Sequence, residues 1–357
     1  MNEQTRSRGR TLAGFFVRLA GFLIVLCAVL TYTAYVLTPK EEYGICPMTN
    51  LYAQPRDTVD LLVTGTSLGY SACNTNVLWR AFGIASYNLC GAEQPFWETY
   101  YLLREALTLQ HPRVIVLDAK AATYTLDYST RARTIQHTFG ILHPIHRIEA
   151  IVGCQESLRA AMDFVWAFPQ IHNRYPSVGW EDFIWPPSNQ GRGSSWKGFI
   201  ETDGVDPHGR AFGYSHNKKP LVPRAEEYVR KILEMVQKEN IPILLVAFPS
   251  PNYDNDAVYF DALWRIAEEY GVPYIDYNDP AWYIGLDYAM DFADWEHLNI
   301  RGGIKMSYRL GNDLGKYYSL PDHRQDPAYE SYEVCAEQWM KKLYSFASSP
   351  SPGDYPL

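Results

Sequence analysis

Two short stretches of the 357-residue chain combine residue types that can carry acyl-transfer chemistry. In the first, Asp60-Leu61-Leu62-Val63-Thr64-Gly65-Thr66-Ser67-Leu68-Gly69, an apolar run ends abruptly in a turn rich in glycine and hydroxyls. It matches the G-x-S-x-G pattern, in which a serine projects from the C-terminal edge of a sheet beside the N–H groups of the turn and the following helix. That setting favours both a nucleophile and the oxyanion it creates. Taken singly the match is weak, because Gly and Ser are common in strand-to-helix turns. In the second stretch, "DFADWEHLN" (291–299), Asp294 stands three residues before His297. A carboxylate so placed can orient an imidazole and stabilise it when protonated. A lone D-x-x-H also describes a capping Asp beside a surface His. Ser67 at one end of the chain and Asp294/His297 at the other together form a candidate nucleophile, acid and base.

The elements that must position these residues alternate between strand and helix. Strands are predicted at Val59–Thr64, Ala85–Leu89, Arg113–Asp118, Pro242–Phe248 and Pro273–Tyr277, and helices near 75–82, 96–110, 223–239, 257–270 and 301–318. This rhythm predicts an α/β fold, a doubly wound three-layer α/β/α sandwich on a five-stranded parallel sheet. Ser67 then follows the first strand, and the D-x-x-H loop precedes the last helix. The rhythm breaks between 119 and 220, where helical pieces ("IHRIEAIVGC", "ESLRAAMDFVWAF") lead into "WPPSNQGRGSSWKGF". An insertion after the third strand lies at the edge where open α/β sheets bind ligands, so it reads as a substrate lid, the alternatives being a surface elaboration or a protein interface. Beyond 320 an amphipathic helix (about 328–345) and a flexible Ser/Pro tail are expected.

The chain order argues against an α/β-hydrolase, whose nucleophile lies deeper in the sheet and whose acid and histidine sit on separate loops. The layout instead resembles the SGNH (GDSL-like) hydrolase superfamily, with Gly65-Thr66-Ser67 where Gly-Asp-Ser would stand and Asp294/His297 as the second block. The resemblance covers roughly 57–120 and 220–320. It implies a flavodoxin-like sandwich and the roles of nucleophile, orienting acid and general base for Ser67, Asp294 and His297. It also implies an oxyanion hole built from the N–H groups of Ser67 and Gly91. No G-x-N-D follows the third strand, where "VLDAKAATY" stands; Gln94, or failing it Asn88, is the candidate for the missing amide, and each also reads as a turn or packing residue. The chain further resembles membrane-anchored members that work beside a membrane-bound O-acyltransferase, as in teichoic-acid D-alanylation or alginate-like O-acetylation. The insertion resembles the lid of bacterial members. There His172, Arg174 and Lys197 each read first as a surface ion-pair partner and second as a residue that holds an anionic or sugar-bearing substrate.

Leu19–Leu37 is a 19-residue uncharged stretch, long enough to cross a bilayer. Arg6, Arg8, Arg10 and Arg18 precede it and Lys40, Glu41 and Glu42 follow, so the positive-inside rule puts residues 1–18 in the cytoplasm of a bacterial cell and the chain from about 40 onward outside. A cleaved signal peptide fits less well, because the run exceeds the usual apolar core and no A-x-A site follows. Residues 38–56 read as a linker, 57–320 as the catalytic domain and 321–357 as a terminal helix and tail.

Apolar residues at 47% and charged residues at 20% allow a sizeable core. A net charge of −8 without a basic stripe argues against a nucleic-acid partner. The 27 Tyr, 15 Phe and 10 Trp read first as core and second as sugar-stacking surface. Outside the membrane stretch are five cysteines, allowing at most two disulfides; Cys73 and Cys90 are close enough in sequence to meet, although connectivity is not fixed. His143 and His146 lack a third metal ligand, Asp254, Asp256 and Asp261 lack the features of a calcium loop, and Asp256 reads as a helix N-cap. No phosphate-binding glycine motif occurs and no cofactor is called for. Three functions remain in order: an extracytoplasmic O-acyltransferase acting on a cell-surface glycan or teichoic-acid-like polymer, an esterase using the same residues with water as acceptor, and a glycan-binding scaffold that has kept the fold.

Overall fold

The computed structural model describes residues 3–40, 44–165, 168–184, 196–208, 218–282 and 284–345, with side chains from residue 13 onward. Helix α1 (Glu3–Leu37) runs for 35 residues. Its segment Ala13–Leu37 is long and apolar enough to cross a membrane, with an unburied 18-residue window of mean hydropathy 2.4. At about 1.5 Å per residue the segment exceeds the roughly 30 Å of a hydrocarbon core.

The stretch read as a linker folds into the body instead. Helix α2 (Ile45–Ala53) buries Cys46, Met48 and Leu51 completely. Pro47 lies in the first helical turn, where its missing N–H costs no hydrogen bond.

Strands β1 (Leu61–Gly65), β2 (Ser86–Cys90), β3 (Val114–Asp118), β4 (Ile243–Ala247) and β5 (Tyr274–Asp276) form one sheet in the order β2-β1-β3-β4-β5, with every pair parallel. Each predicted strand is present, shorter by one or two residues or shifted by one or two. Strands β1 to β4 are buried along their whole length, as a parallel sheet covered on both faces requires. Leu62, Ile115 and Leu245 pack on one face with helices introduced between and after the strands; Leu61, Val63, Val116 and Val246 pack on the other.

In chain order those helices are α3 (Ser67–Ala72), α4 (Thr75–Phe82), α5 (Phe96–Ala106), α6 (Arg131–Thr138), α7 (Pro144–Cys154), α8 (Leu158–Val165), α9 (Phe168–Ile171), α10 (Pro223–Lys238), α11 (Tyr253–Glu269), α12 (Ile300–Tyr317) and α13 (Glu330–Ser345). Helices α5, α10 and α11 cover the first face, and α3 and α12 the second, with Leu78 of α4 beside them. Local signals set the boundaries. The Asn74 side chain accepts the N–H groups of Asn76 and Val77 at the start of α4, and Gly83 ends that helix in the left-handed conformation. Trp79, Trp97 and Trp339 are buried, so these aromatic residues serve the core.

The described parts of the insertion go to two places. Helices α6 to α9 pack beside α5 and the end of α1, with Leu37, Ile45, Phe139, Ile151, Phe164 and Ile171 in one cluster. The segment 196–208 touches the edge strand β2 at its start, where the Lys197 carbonyl accepts the Asn88 N–H at 2.8 Å, and then passes Tyr70 to the D-x-x-H loop, where the Asp206 N–H donates to the Phe292 carbonyl at 3.0 Å. Gly198 has φ +84°, and a Cβ there would lie 1.8 Å from the Asn88 carbonyl oxygen, so only glycine fits this close approach. Covering β2 removes an exposed strand edge. Most of "WPPSNQGRGSSWKGF" and the Ser/Pro tail lie outside the described residues.

All six cysteines are free thiols, five of them buried. Cys73 and Cys90 share a cluster without a disulfide, and burial raises both thiol pKa values. Because α2 is core, Leu51→Ala is expected to destabilise the protein by about 2–5 kcal/mol, as for other buried leucines. A thermal or denaturant melt of the full chain in detergent checks this; a linker would show almost no change.

Candidate active site

Three strand ends at one edge of the sheet set the geometry. Gly65 pairs with Cys90 at the ends of β1 and β2, and Thr64 pairs with Leu117 just before Asp118. The chain leaves β1 to one neighbour and returns to the other, so β1 and β3 flank the point where the strand order switches, the usual ligand crevice of such sheets. Ser67 is the first residue of α3 there.

The turn before Ser67 is fixed by a buried carboxylate. Asp118 Oδ2 accepts the Thr66 N–H at 3.1 Å and the Thr66 hydroxyl, and its Oδ1 accepts the Lys120 N–H at 3.0 Å. Burial raises the Asp118 pKa, although these three donors pull the other way. Gly65 has φ +134°, and a Cβ there would come 2.5 Å from Asp118 Cβ, so the approach of β1 to Asp118 needs glycine. Asn88 ties the other side: its amide donates to the Gly69 carbonyl at 2.9 Å and holds α3 against β2.

The D-x-x-H loop is closed at its base. Phe292 and Leu298 form an antiparallel bridge, the Ala293 N–H donates to the His297 carbonyl at 2.9 Å, and Asn299 caps α12. Buried Asp291 pairs with Arg301 at 2.9 Å and Lys305 at 2.6 Å. Within the loop, Asp294 Oδ1 accepts the N–H groups of Glu296 and His297, each at 2.8 Å.

These two supports bring the three sequence-predicted residues together. His297 Nε2 lies 2.8 Å from Ser67 Oγ, and His297 Nδ1 lies 2.9 Å from Asp294 Oδ2. Partial burial acts to raise the Asp294 pKa, but the His297 hydrogen bond and the two backbone donors outweigh it and bring it down to about 2. An ionised Asp294 can only accept, which puts the proton on Nδ1 and leaves Nε2 free to accept from the serine hydroxyl. The Tyr70 ring stacks on the imidazole with centroids 6.2 Å apart and planes within 4°.

Other assigned residues fall elsewhere. The Gly91 N–H is donated to the Gly65 carbonyl at 3.0 Å, so it serves the strand ends rather than an oxyanion. Gly91 is needed for packing, since a Cβ would lie 2.4 Å from His137 Nε2. Gln94 is fully buried and its amide donates to Thr99 Oγ1 at 3.0 Å. Asn88, as above, is a clamp on α3. His172 is exposed beside Phe168. Arg174 donates to both oxygens of Asp182 and to the Val36 and Thr38 carbonyls at the end of α1. Lys197 donates to Gln54 at 2.7 Å and Ser331 at 2.8 Å, and burial lowers its pKa to about 8. None of these last three touches the Ser67–His297–Asp294 chain. His143 caps α7 and His146 pairs with Glu105.

A further support was missed in the sequence. Lys120, two residues past β3, is buried and pairs with Asp256 at 2.7 Å and with Glu296 of the D-x-x-H loop at 3.0 Å. Asp256 therefore is no N-cap; α11 begins three residues earlier and Asp256 faces the lysine. The available signal was Asp118-x-Lys120, charges placed directly at the end of an otherwise apolar central strand.

No family model matches the chain, and no curated protein sequence matches it significantly.

Burial raises the Asp256 carboxyl from 3.8 to about 6, against the pull of Lys120. A raised carboxyl favours the folded state below its unfolded pKa and costs stability as pH climbs through the folded one. Lys120→Met leaves this carboxylate buried without its cation, and the expected cost is about 3–5 kcal/mol. The loss should be small near pH 4, where Asp256 is neutral in both proteins, and grow as the pH climbs through about 6 and beyond, because without its cation the variant's carboxyl ionises only at a higher pH than the parent's. Denaturant melts of both proteins across that range are the check; a pH-independent loss would contradict the assignment.

Proposed function

We propose that the chain is an SGNH-type serine enzyme that moves an acyl group to hydroxyls of a cell-envelope polysaccharide or teichoic-acid-like polymer. The observation that carries this reading is the continuous hydrogen-bonded chain from Ser67 Oγ through His297 to Asp294, at the switch edge of a parallel sheet. The match of this layout to SGNH blocks is a resemblance in residues and order. It makes the sheet and its helices the catalytic unit and α1 a single-pass anchor, with the basic N-terminus inside and the site outside.

In the first half-reaction His297 Nε2 takes the Ser67 proton while Oγ bonds to the donor's acyl carbon. The proton then passes to the departing group as its bond to that carbon breaks, leaving an acyl-serine. In the second, Nε2 takes the proton of an acceptor hydroxyl, whose oxygen bonds to the acyl carbon. The Ser67 Oγ–carbon bond breaks and the proton returns to Ser67. The Ser67 N–H, at the start of α3, has no acceptor among the described residues and is the backbone donor for the oxyanion. Delivery of the acyl group by a membrane-bound O-acyltransferase partner belongs to the same resemblance. With water as acceptor, the same residues would make an esterase.

A fluorophosphonate probe should label the full chain in detergent at Ser67. Ser67→Ala and His297→Ala should abolish labelling, and Asp294→Asn should slow it by about 10²- to 10⁴-fold through the wrong imidazole tautomer. Labelling that survives Ser67→Ala would refute the assignment. With an activated acyl ester as donor, acyl-polymer should form with purified envelope glycan, at the expense of free acid. Release of free acid at the same rate with and without glycan would favour the esterase.

A further inference from the structure

Helix α1 does not leave the body at its end. The upper half of its apolar segment lies beside the insertion: Cys27, Leu30 and Ala34 line one groove of about 430 Å³ with Ile148, Val165 and Phe168. From Cys27 to Leu37 the helix rises about 15 Å. The insertion therefore reaches back along the segment read as the membrane anchor.

The surface it presents there is apolar. On α7, Ile145, Ile148 and Val152 are exposed, and on α8, Leu158, Met162 and Val165. These are i, i+3, i+7 and i, i+4, i+7 spacings, one stripe on each helix. Ile145 is 61% exposed, Leu158 67% and Met162 66%, so the body leaves both stripes uncovered. The charges on these helices are directed away or lie at the border. Glu149 pairs with Arg104 of α5 at 2.6 Å, Arg147 lies over the Phe139 ring, and around α8 Arg159 stands about 60° and Asp163 about 100° from Met162, the nearest residue of the stripe.

A second depth marker agrees. The turn 172–184 is fixed at the end of the apolar segment, where Arg174 donates to the Val36 and Thr38 carbonyls and the Tyr35 hydroxyl donates to the Ile184 carbonyl. This turn exposes Tyr175 and Trp180, the latter by 81%. Tyr and Trp favour the headgroup level of a bilayer, and the α7 and α8 stripes lie beside residues deeper along α1.

We infer that α7, α8 and the turn 172–184 form a membrane-docking foot: the two apolar stripes sit among the acyl chains of the leaflet that α1 leaves, and Tyr175 and Trp180 sit at its headgroups. The occupant of the surface is lipid, because it continues the lipid-facing surface of α1 and its polar border has the arrangement of interfacial helices. This inference rests on α1 being a membrane anchor. It gives the insertion a task other than a lid, namely holding the body at a fixed height and tilt over the membrane.

The test uses the full chain in phosphatidylethanolamine–phosphatidylglycerol vesicles with nitroxide labels. Native Cys27 is exposed and the other five thiols are buried, so the unsubstituted chain labelled at Cys27 reports on the anchor. In a Cys27→Ser background, Ile148→Cys, Leu158→Cys and Met162→Cys report on the foot, and Val334→Cys on α13 is the aqueous reference. At the foot, oxygen should outcompete a water-soluble nickel chelate as relaxation agent several-fold more strongly than at Val334. A lipid-like Cys27 with water-like foot labels would overturn the foot and leave the anchor standing. A water-like Cys27 would overturn both. Foot labels shielded from oxygen and nickel alike would mean a protein covers the stripes, which also overturns the lipid assignment. In the unsubstituted chain, a carbene photoprobe on a lipid acyl chain should give adducts between residues 142 and 165 as well as in α1; adducts in α1 alone would count against the foot without recourse to any variant.

Discussion

The carboxylate of Asp118 is buried between the ends of the two central strands, and much of the site depends on how it is satisfied. It takes the N–H and hydroxyl of Thr66 and the N–H of Lys120, so one side chain fixes the exit from β1 and the exit from β3. A buried carboxylate without such donors would be costly, and this cost is what makes the arrangement definite. Ser67 follows directly from the turn so held. Its hydroxyl is placed by backbone geometry and does not depend on a mobile loop.

His297 reaches Ser67 from more than two hundred residues away and needs an equally firm support. Its loop has three anchors of different kinds. Asp291 holds the base through Arg301 and Lys305, Asn299 joins it to α12, and Lys120 holds Glu296 from the far side. Lys120 is thus shared between the two halves of the site, since its N–H satisfies Asp118 and its ammonium holds the histidine loop. Local support of this kind is how an imidazole is kept in one tautomer and one orientation.

The elements outside the sheet divide between fold and surroundings. Residues 196–199 and α13 close the β2 side, with Gly198 against Asn88 and Trp79 stacked on Tyr332 at 5.3 Å, and residues 200–208 continue to the histidine loop. Helices α6 to α9 bind the end of α1 to the body through the cluster around Phe139 and Ile171, and the turn 172–184 does so through Arg174. The end of α1 and the sheet are therefore parts of one packed unit.

By itself the sequence determined the alternation of strands and helices, the apolar N-terminal helix, and Ser67, Asp294 and His297. These are local signals: apolar runs that parallel strands need on both faces, a glycine-bounded turn, and a D-x-x-H within one loop. It misread the 38–56 stretch because Pro47 looks like a breaker unless its place in the first helical turn is known. It offered Gly91, Gln94 and Asn88 as oxyanion donors because residue type shows capacity to donate, while only the fold shows that Gly65, Thr99 and Gly69 already take those hydrogens. Arg174 forms the ion pair of its first reading, with Asp182, while Lys197 donates to the uncharged Gln54 and Ser331, since a cation's partner is chosen by tertiary neighbours. Lys120 was missed because Asp256 and Glu296 lie far from it in sequence and meet it only when β3, α11 and the histidine loop converge. Side-chain chemistry is written locally; which groups compensate one another in a low-dielectric interior is decided by the fold.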